Sequence, residues 1–82
     1  MMNLRVLFFS VLRDLTGAEE IAWQMPPGAS VADLLESLYQ RWPALRDWDG
    51  SLLVAVDQTY VKRGAPLHEG CEVAIMPPVQ GG

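Results

Sequence analysis

One segment of this chain has a clear helical period. Val31, Leu34, Leu35, Leu38, Tyr39 and Trp42 recur at i, i+3, i+4, i+7, i+8 and i+11, which gathers them into one apolar stripe. Both ends of the segment are marked. Ser30 is placed to cap the start, Asp33 resembles a capping-box acid one methylene short, and Asp33 and Glu36 suit the positive end of the helix dipole. Pro43 biases Trp42 out of helical geometry and stops the helix there. A helix with a single stripe can cover one face of one sheet, so strands elsewhere must assemble against it and the chain is constrained to an α+β domain.

The remaining apolar segments read as those strands. Residues 4–10 are rich in branched and aromatic side chains, with Leu4, Val6 and Phe8 on one face and Arg5, Leu7 and Phe9 on the other; two largely apolar faces predict an internal strand. Residues 13–16 have room for one helical turn, stopped by Gly17. Alternation over residues 20–25 predicts a second strand, closed by Pro26-Pro27-Gly28 because proline cannot continue an internal ladder. Residues 51–56 predict a third strand, Asp57-Gln58-Thr59 a turn and Tyr60-Val61 a short fourth strand. The last strand covers residues 71–76, with Val73 and Ile75 on one face and Glu72, Ala74 and Met76 on the other. If the first and last strands are central and parallel, the result is a β-grasp: a mixed sheet of about five strands with one main helix packed on one face. A single domain then spans residues 1–82, with residues 77–82 as an extended tail. The uncovered face carries Phe9 and Met76, an exposed apolar patch of the kind that marks a protein interface.

Several function classes fall away. The net charge of −4 lacks the basic footprint that nucleic-acid backbones require, so nucleic acid is not an expected partner. Cys71 is the only cysteine, which leaves no disulfide framework and no thiolate set for a metal, and points to a reducing, cytoplasmic setting. No apolar run approaches the roughly 20 residues needed to cross a bilayer. Residues 6–12, behind Arg5, have the apolar character of a secretory signal, but removal through Ala18 would delete the strongest strand. His68 is the only histidine; it lies in a Pro/Gly-bounded turn with no evident partner and reads as a solvated loop residue. Cys71 has no basic neighbour within two positions to favour its thiolate, and reads as core rather than as a sulfur carrier. Glu19, Glu20, Glu69 and Glu72 read as solvated surface. No phosphate-cradling Gly-rich loop is present, so any ATP must be bound by another protein.

What remains is Pro77-Pro78-Val79-Gln80-Gly81-Gly82. Six extended residues reach about 20 Å, enough to enter a deep pocket in a partner. The prolines stiffen the base and the glycines remove side-chain bulk at the tip, which suits a narrow channel. A free carboxylate at Gly82 is inert as an acyl donor until activated, for example as an acyl adenylate.

Val6-Leu7-Phe8-Phe9, Arg13-Asp14-Leu15-Thr16-Gly17, Val56-Asp57-Gln58-Thr59, Pro66-Leu67-x-x-Gly70-x-Glu72-Val73-Ala74 and Pro77-Pro78-Val79-x-Gly81-Gly82 occur in that order. Together they resemble the family of small subunits of molybdopterin synthase, ubiquitin-like sulfur carriers with the β-grasp fold. The resemblance implies that Gly82 is the reacting residue, adenylated by an E1-like adenylyltransferase that uses ATP and then converted to a thiocarboxylate with sulfur from a persulfide donor. It implies that Pro77, Pro78, Val79, Gln80 and Gly81 insert into the large synthase subunit, where sulfur passes to cyclic pyranopterin monophosphate to build the molybdopterin dithiolene. Phe9, Arg13, Tyr60 and Met76 are assigned to the partner interface. The chain is then a co-substrate and not an enzyme on its own; catalytic residues belong to the large subunit of an assembly of two small and two large subunits. No metal, stably bound cofactor or membrane is expected. Two positions depart from the family pattern, Asp57 in place of asparagine and Met76 in place of an aromatic. A ubiquitin-like protein modifier, a carrier for thiamine or transfer-RNA thiolation, and an adaptor with an idle tail are the alternatives. Lys62 is the only lysine, which limits self-linked chains to one attachment point, and the Pro-Pro-Val-x-Gly-Gly ending ranks the synthase reading first.

Overall fold

β1 (Met2–Phe8) and β5 (Glu72–Met76) lie side by side and parallel in the computed structural model, which describes residues 1–78. A parallel pair needs a long crossover, and here the crossover contains α2 (Val31–Arg41). β2 (Glu20–Met25) flanks β1, while β3 (Leu53–Val56) and then β4 (Thr59–Val61) flank β5, all antiparallel to their neighbours. The five-stranded order β2-β1-β5-β3-β4 is the expected β-grasp, with β1 and β5 both internal. A short α1 (Val11–Thr16) follows β1 and closes on Gly17, whose φ of 75° is the left-handed cap that glycine adopts without strain.

One face of the sheet is sealed. Leu4, Val6 and Phe8 of β1, Val54 of β3, and Val73 and Ile75 of β5 are buried in the same cluster as Val31, Leu34, Leu35, Leu38 and Tyr39, so the predicted helical stripe meets the predicted strand faces. Cys71 is buried in this cluster as well. α2 starts with a complete capping box: Asp33 N–H donates to Ser30 Oγ at 3.3 Å, and Ser30 N–H donates to Asp33 Oδ2 at 2.9 Å. It ends at Trp42, the residue before Pro43. The rings of Trp42 and Phe8 meet edge-on at 5.7 Å, and Trp23 of β2 lies 5.9 Å from Trp42.

Several sequence expectations shift: the helical turn read over residues 13–16 begins at Val11, Thr59, read as part of a turn, opens β4, and three strands change their ends. The first strand covers Met2–Phe8 and not residues 4–10, because pairing to β2 ends at Leu7 opposite Glu20 and Ser10 leaves the extended region, with φ 57° and ψ −131°. Leu12 N–H then donates to Phe9 O at 3.1 Å and closes a turn at that point. The third strand is Leu53–Val56 and not 51–56, because a 3₁₀ segment, Pro43–Ser51, occupies the approach to it and buries Leu45. The last strand opens at Glu72, since Cys71 N–H donates to His68 O and belongs to the preceding turn.

The β3–β4 hairpin turns on two residues, Asp57 (φ 49°) and Gln58 (φ 70°), the positive pair that a two-residue hairpin of this hand requires. Asp57 suits this geometry, as asparagine would. Its Oδ1 also accepts from Glu72 N–H at 3.0 Å, tying the turn to the start of β5. His68, read as lacking a partner, has one: its Nε2 lies 3.0 Å from Asp57 Oδ2, while the imidazole remains exposed. The turn at Asp57 and the turn at His68 are distant in sequence, and only the β3–β5 pairing brings them together.

Candidate functional site: the open sheet face and the exit of the tail

Strand alternation that turns Leu4, Val6, Phe8, Val54, Val73 and Ile75 inward turns their neighbours outward. The outward set divides into two ends. Toward the start of β1 it is ionic: Arg5 Nε lies 3.2 Å from Glu20 Oε2 and Arg5 Nη2 lies 3.5 Å from Glu72 Oε1. The Arg5 hydrogen bond, with its charge second, holds the Glu20 carboxyl below the usual carboxylate range. Toward the end of β5 the set is apolar, built from Leu7, Ala74, Met76, Leu53, Ala55 and Tyr60.

The tail leaves the sheet at this apolar end. Met76, the last strand residue, is paired with Leu53 across the β3–β5 ladder, while Phe9 N–H donates to Ile75 O at 3.3 Å on the other side. Phe9 is 43% exposed and Leu53 37%, high values for side chains of their type beside a strand; Met76 is half-buried between them. Pro77 and Pro78 continue directly from Met76, so the chain leaves the sheet at a collar of Phe9, Leu53 and Met76. Tyr60 is 69% exposed on β4, two strands from β5 on the same face. Phe9 and Tyr60 are therefore separated by about three strand spacings, roughly 14 Å, which a single partner surface can span.

Arg13 is not part of this apolar collar. It lies on α1 and its Nη1 is 2.9 Å from Glu19 Oε1, a solvated ion pair at the side of the face. Val79, Gln80, Gly81 and Gly82 lie outside the described residues. Leu53 was missed by sequence reasoning because its importance comes from register: opposite Met76 it is part of the collar, and nothing local to residues 51–56 says so. Among the described residues no group of three His, Cys, Asp or Glu side chains could hold a metal ion, and no helix is long and apolar enough to cross a membrane.

The arrangement is an apolar sheet face beside the root of the segment that follows β5. Chains of similar sequence and shape are well characterised. The family model described as ThiS family matches residues 6–82. A molybdopterin synthase sulfur carrier subunit of Escherichia coli is 43% identical over 81 residues, covering 96% of this chain and 99% of that protein. The solution structure of small archaeal modifier protein 1 from Methanosarcina acetivorans superposes with a TM-score of 0.82 at 27% identity, covering 100% of this chain and 98% of that one. A chain in the complex of subunits 1 and 2 of the molybdopterin-converting factor from Helicobacter pylori shares the fold, with a TM-score of 0.69 at 23% identity over 99% of this chain and 100% of that one.

Proposed function

This chain belongs to the ThiS family, and we propose that within it the chain is the sulfur carrier subunit of a molybdopterin synthase. The observation that carries this reading is the exit of Pro77-Pro78 from the middle of the sheet at the apolar collar of Phe9, Leu53 and Met76. The Gly82 carboxylate is adenylated by an E1-like partner that binds the ATP and releases pyrophosphate; persulfide sulfur then attacks the acyl carbon and expels AMP, and a thiol reduces the resulting acyl disulfide to the thiocarboxylate. Sulfur in place of oxygen makes the terminal group a softer nucleophile that stays ionised at neutral pH. The large synthase subunit docks on Phe9, Leu53, Met76 and Tyr60, receives residues 77–82 in a channel, and supplies the acid-base groups that pass the sulfur to cyclic pyranopterin monophosphate. The near full-length relationship to the Escherichia coli carrier supports this assignment. The reducing cytoplasm, where a thiocarboxylate and persulfides persist, is the matching compartment.

The test is intact mass after co-expression with the activating enzyme, ATP and a sulfur source. A gain of about 16 Da localised to Gly82 is expected, the exchange of one oxygen for one sulfur through the activated acyl group. An unchanged mass, or sulfur found on Cys71, overturns the mechanism. The likeness to a small archaeal modifier protein favours one other outcome, a Gly82 amide on a lysine of another protein, which the same spectra reveal as a much larger adduct.

A further inference from the structure

Beyond the last rung of the β3–β4 ladder, Val54 opposite Val61, the two strands part and leave a cleft of about 350 Å³. Its lining includes Leu53 and Tyr60, which also belong to the apolar face, together with Lys62 and Arg63. The cleft is therefore continuous with the docking face and gives it a basic margin, in a chain whose net charge is −4. The two cations differ in what they are free to do. Arg63 is committed: its Nη1 lies 2.9 Å from Asp49 Oδ1, and its Nη2 donates to the Asp49 carbonyl oxygen. Lys62 is exposed and takes part in none of the ion pairs formed among the described residues, which engage Arg5, Arg13, Arg46, Arg63 and His68. Lys62 directly follows β4 and lines the same cleft as Tyr60.

We propose that this cleft receives an acidic side chain of the protein that covers the apolar face, with Lys62 as its counter-charge. The inference rests on the docking role given to that face above and adds the chemistry of the partner at this margin. A carboxylate entering between Leu53 and Tyr60 is partly shielded from water by their apolar surface, so its attraction to the Lys62 ammonium is screened less than at an open surface. The Arg63 guanidinium also lines the cleft but is held by Asp49, which leaves Lys62 as the cation to meet the ligand. The contact fixes the rotation of the partner about the tail: collar and tail define one axis, and a charge at the β4 margin, roughly 14 Å from Phe9, prevents turning around it.

The experiment measures association of the full chain with the purified large synthase subunit as a function of salt, for the native chain, Lys62→Met, Lys62→Glu, Lys62→Arg and Tyr60→Ala. Lys62→Met, which keeps the apolar stem and removes the charge, is expected to weaken binding about three- to tenfold at low salt, mainly through the association rate, and to lower the salt dependence. Lys62→Glu weakens it further and Lys62→Arg restores most of it, with melting temperatures unchanged throughout. Tyr60→Ala separates the two levels of the argument. If the native chain binds and Tyr60→Ala binds weakly while Lys62→Glu binds as the native chain does, the acidic-anchor inference is wrong and the docking face stands. If the native chain does not bind, or Tyr60→Ala has no effect, the docking face falls and this inference falls with it.

Discussion

Asp49 ties together three parts of the chain that are apart in sequence. Its Oδ1 accepts from the buried Tyr39 hydroxyl of α2 at 2.5 Å and lies 2.9 Å from Arg63 Nη1, while Asp49 itself belongs to the 3₁₀ segment. The loop carrying Arg63 in turn satisfies the start of α2, since Ala32 N–H donates to Arg63 O at 2.9 Å and Val31 N–H to Ala65 O at 3.0 Å. The Tyr39 hydrogen bond, with Arg63 second, lowers the Asp49 carboxyl below its usual range; burial, with Asp49 second, raises Tyr39. A carboxyl whose folded pKa lies below its unfolded value of about 3.9 adds stability that is complete above that pH and is lost as pH falls through the folded value. Asp49→Asn should therefore cost about 1 kcal/mol at pH 7, a hydrogen bond to a charged group discounted for an Asp49 side chain that is half exposed. The gap between native and variant should close below about pH 4 in denaturant titrations. A gap independent of pH would mean that the loss is one of shape and not of charge. None of this cluster was legible in the sequence, because Tyr39 reads as one more member of the apolar stripe and Asp49 and Arg63 carry no local pattern.

The elements were legible wherever their ends are written locally. β2 begins and ends as predicted because Pro26 stops it, and α2 does because Ser30, Asp33 and Pro43 bound it. Where tertiary pairing decides, the sequence reading slipped: β1 ends where β2 stops pairing with it, and the 3₁₀ segment has no period to betray it. The open sheet face shows the same division. Phe9 and Met76 were legible as apolar residues on the outward side of their strands, whereas Leu53 needed the antiparallel register and Lys62 the parting of β3 from β4. The two faces of the sheet also predict opposite responses to the same kind of substitution. Leu38→Ala on the sealed face should cost about 2–5 kcal/mol of stability, since Leu38 is fully buried and a cavity remains. Phe9→Ala and Met76→Ala should shift the melting temperature much less and weaken association with the large subunit more, by roughly 1–2 kcal/mol each. Calorimetric unfolding beside a binding titration ranks them, and the reverse ranking would place Phe9 and Met76 in the core.

At the scale of the whole molecule, the proposed function assigns folding and reactivity to different parts of the chain. Among the described residues the last member of the buried cluster is Ile75, and β5 is held on both sides by β1 and β3. The described core is therefore assembled from residues up to Ile75, while the signal in Pro77 to Gly82 is one of local sequence. Reading that signal needs no tertiary pairing, whereas placing Leu53 in the collar at its root does. Cys71 completes the separation: it is 1% exposed within the core, so sulfur chemistry there would require the β5 end of the sheet to open. Deleting Gly82 should leave the melting temperature within about 1 °C of the native value, as expected for removal of a terminal residue, and should abolish both sulfur loading and sulfur transfer. Binding to the large subunit should persist, because Phe9, Leu53, Tyr60 and Met76 are untouched. A drop of several degrees would show that the tail is part of the fold; sulfur transfer surviving the deletion would move the reacting atom away from Gly82 altogether.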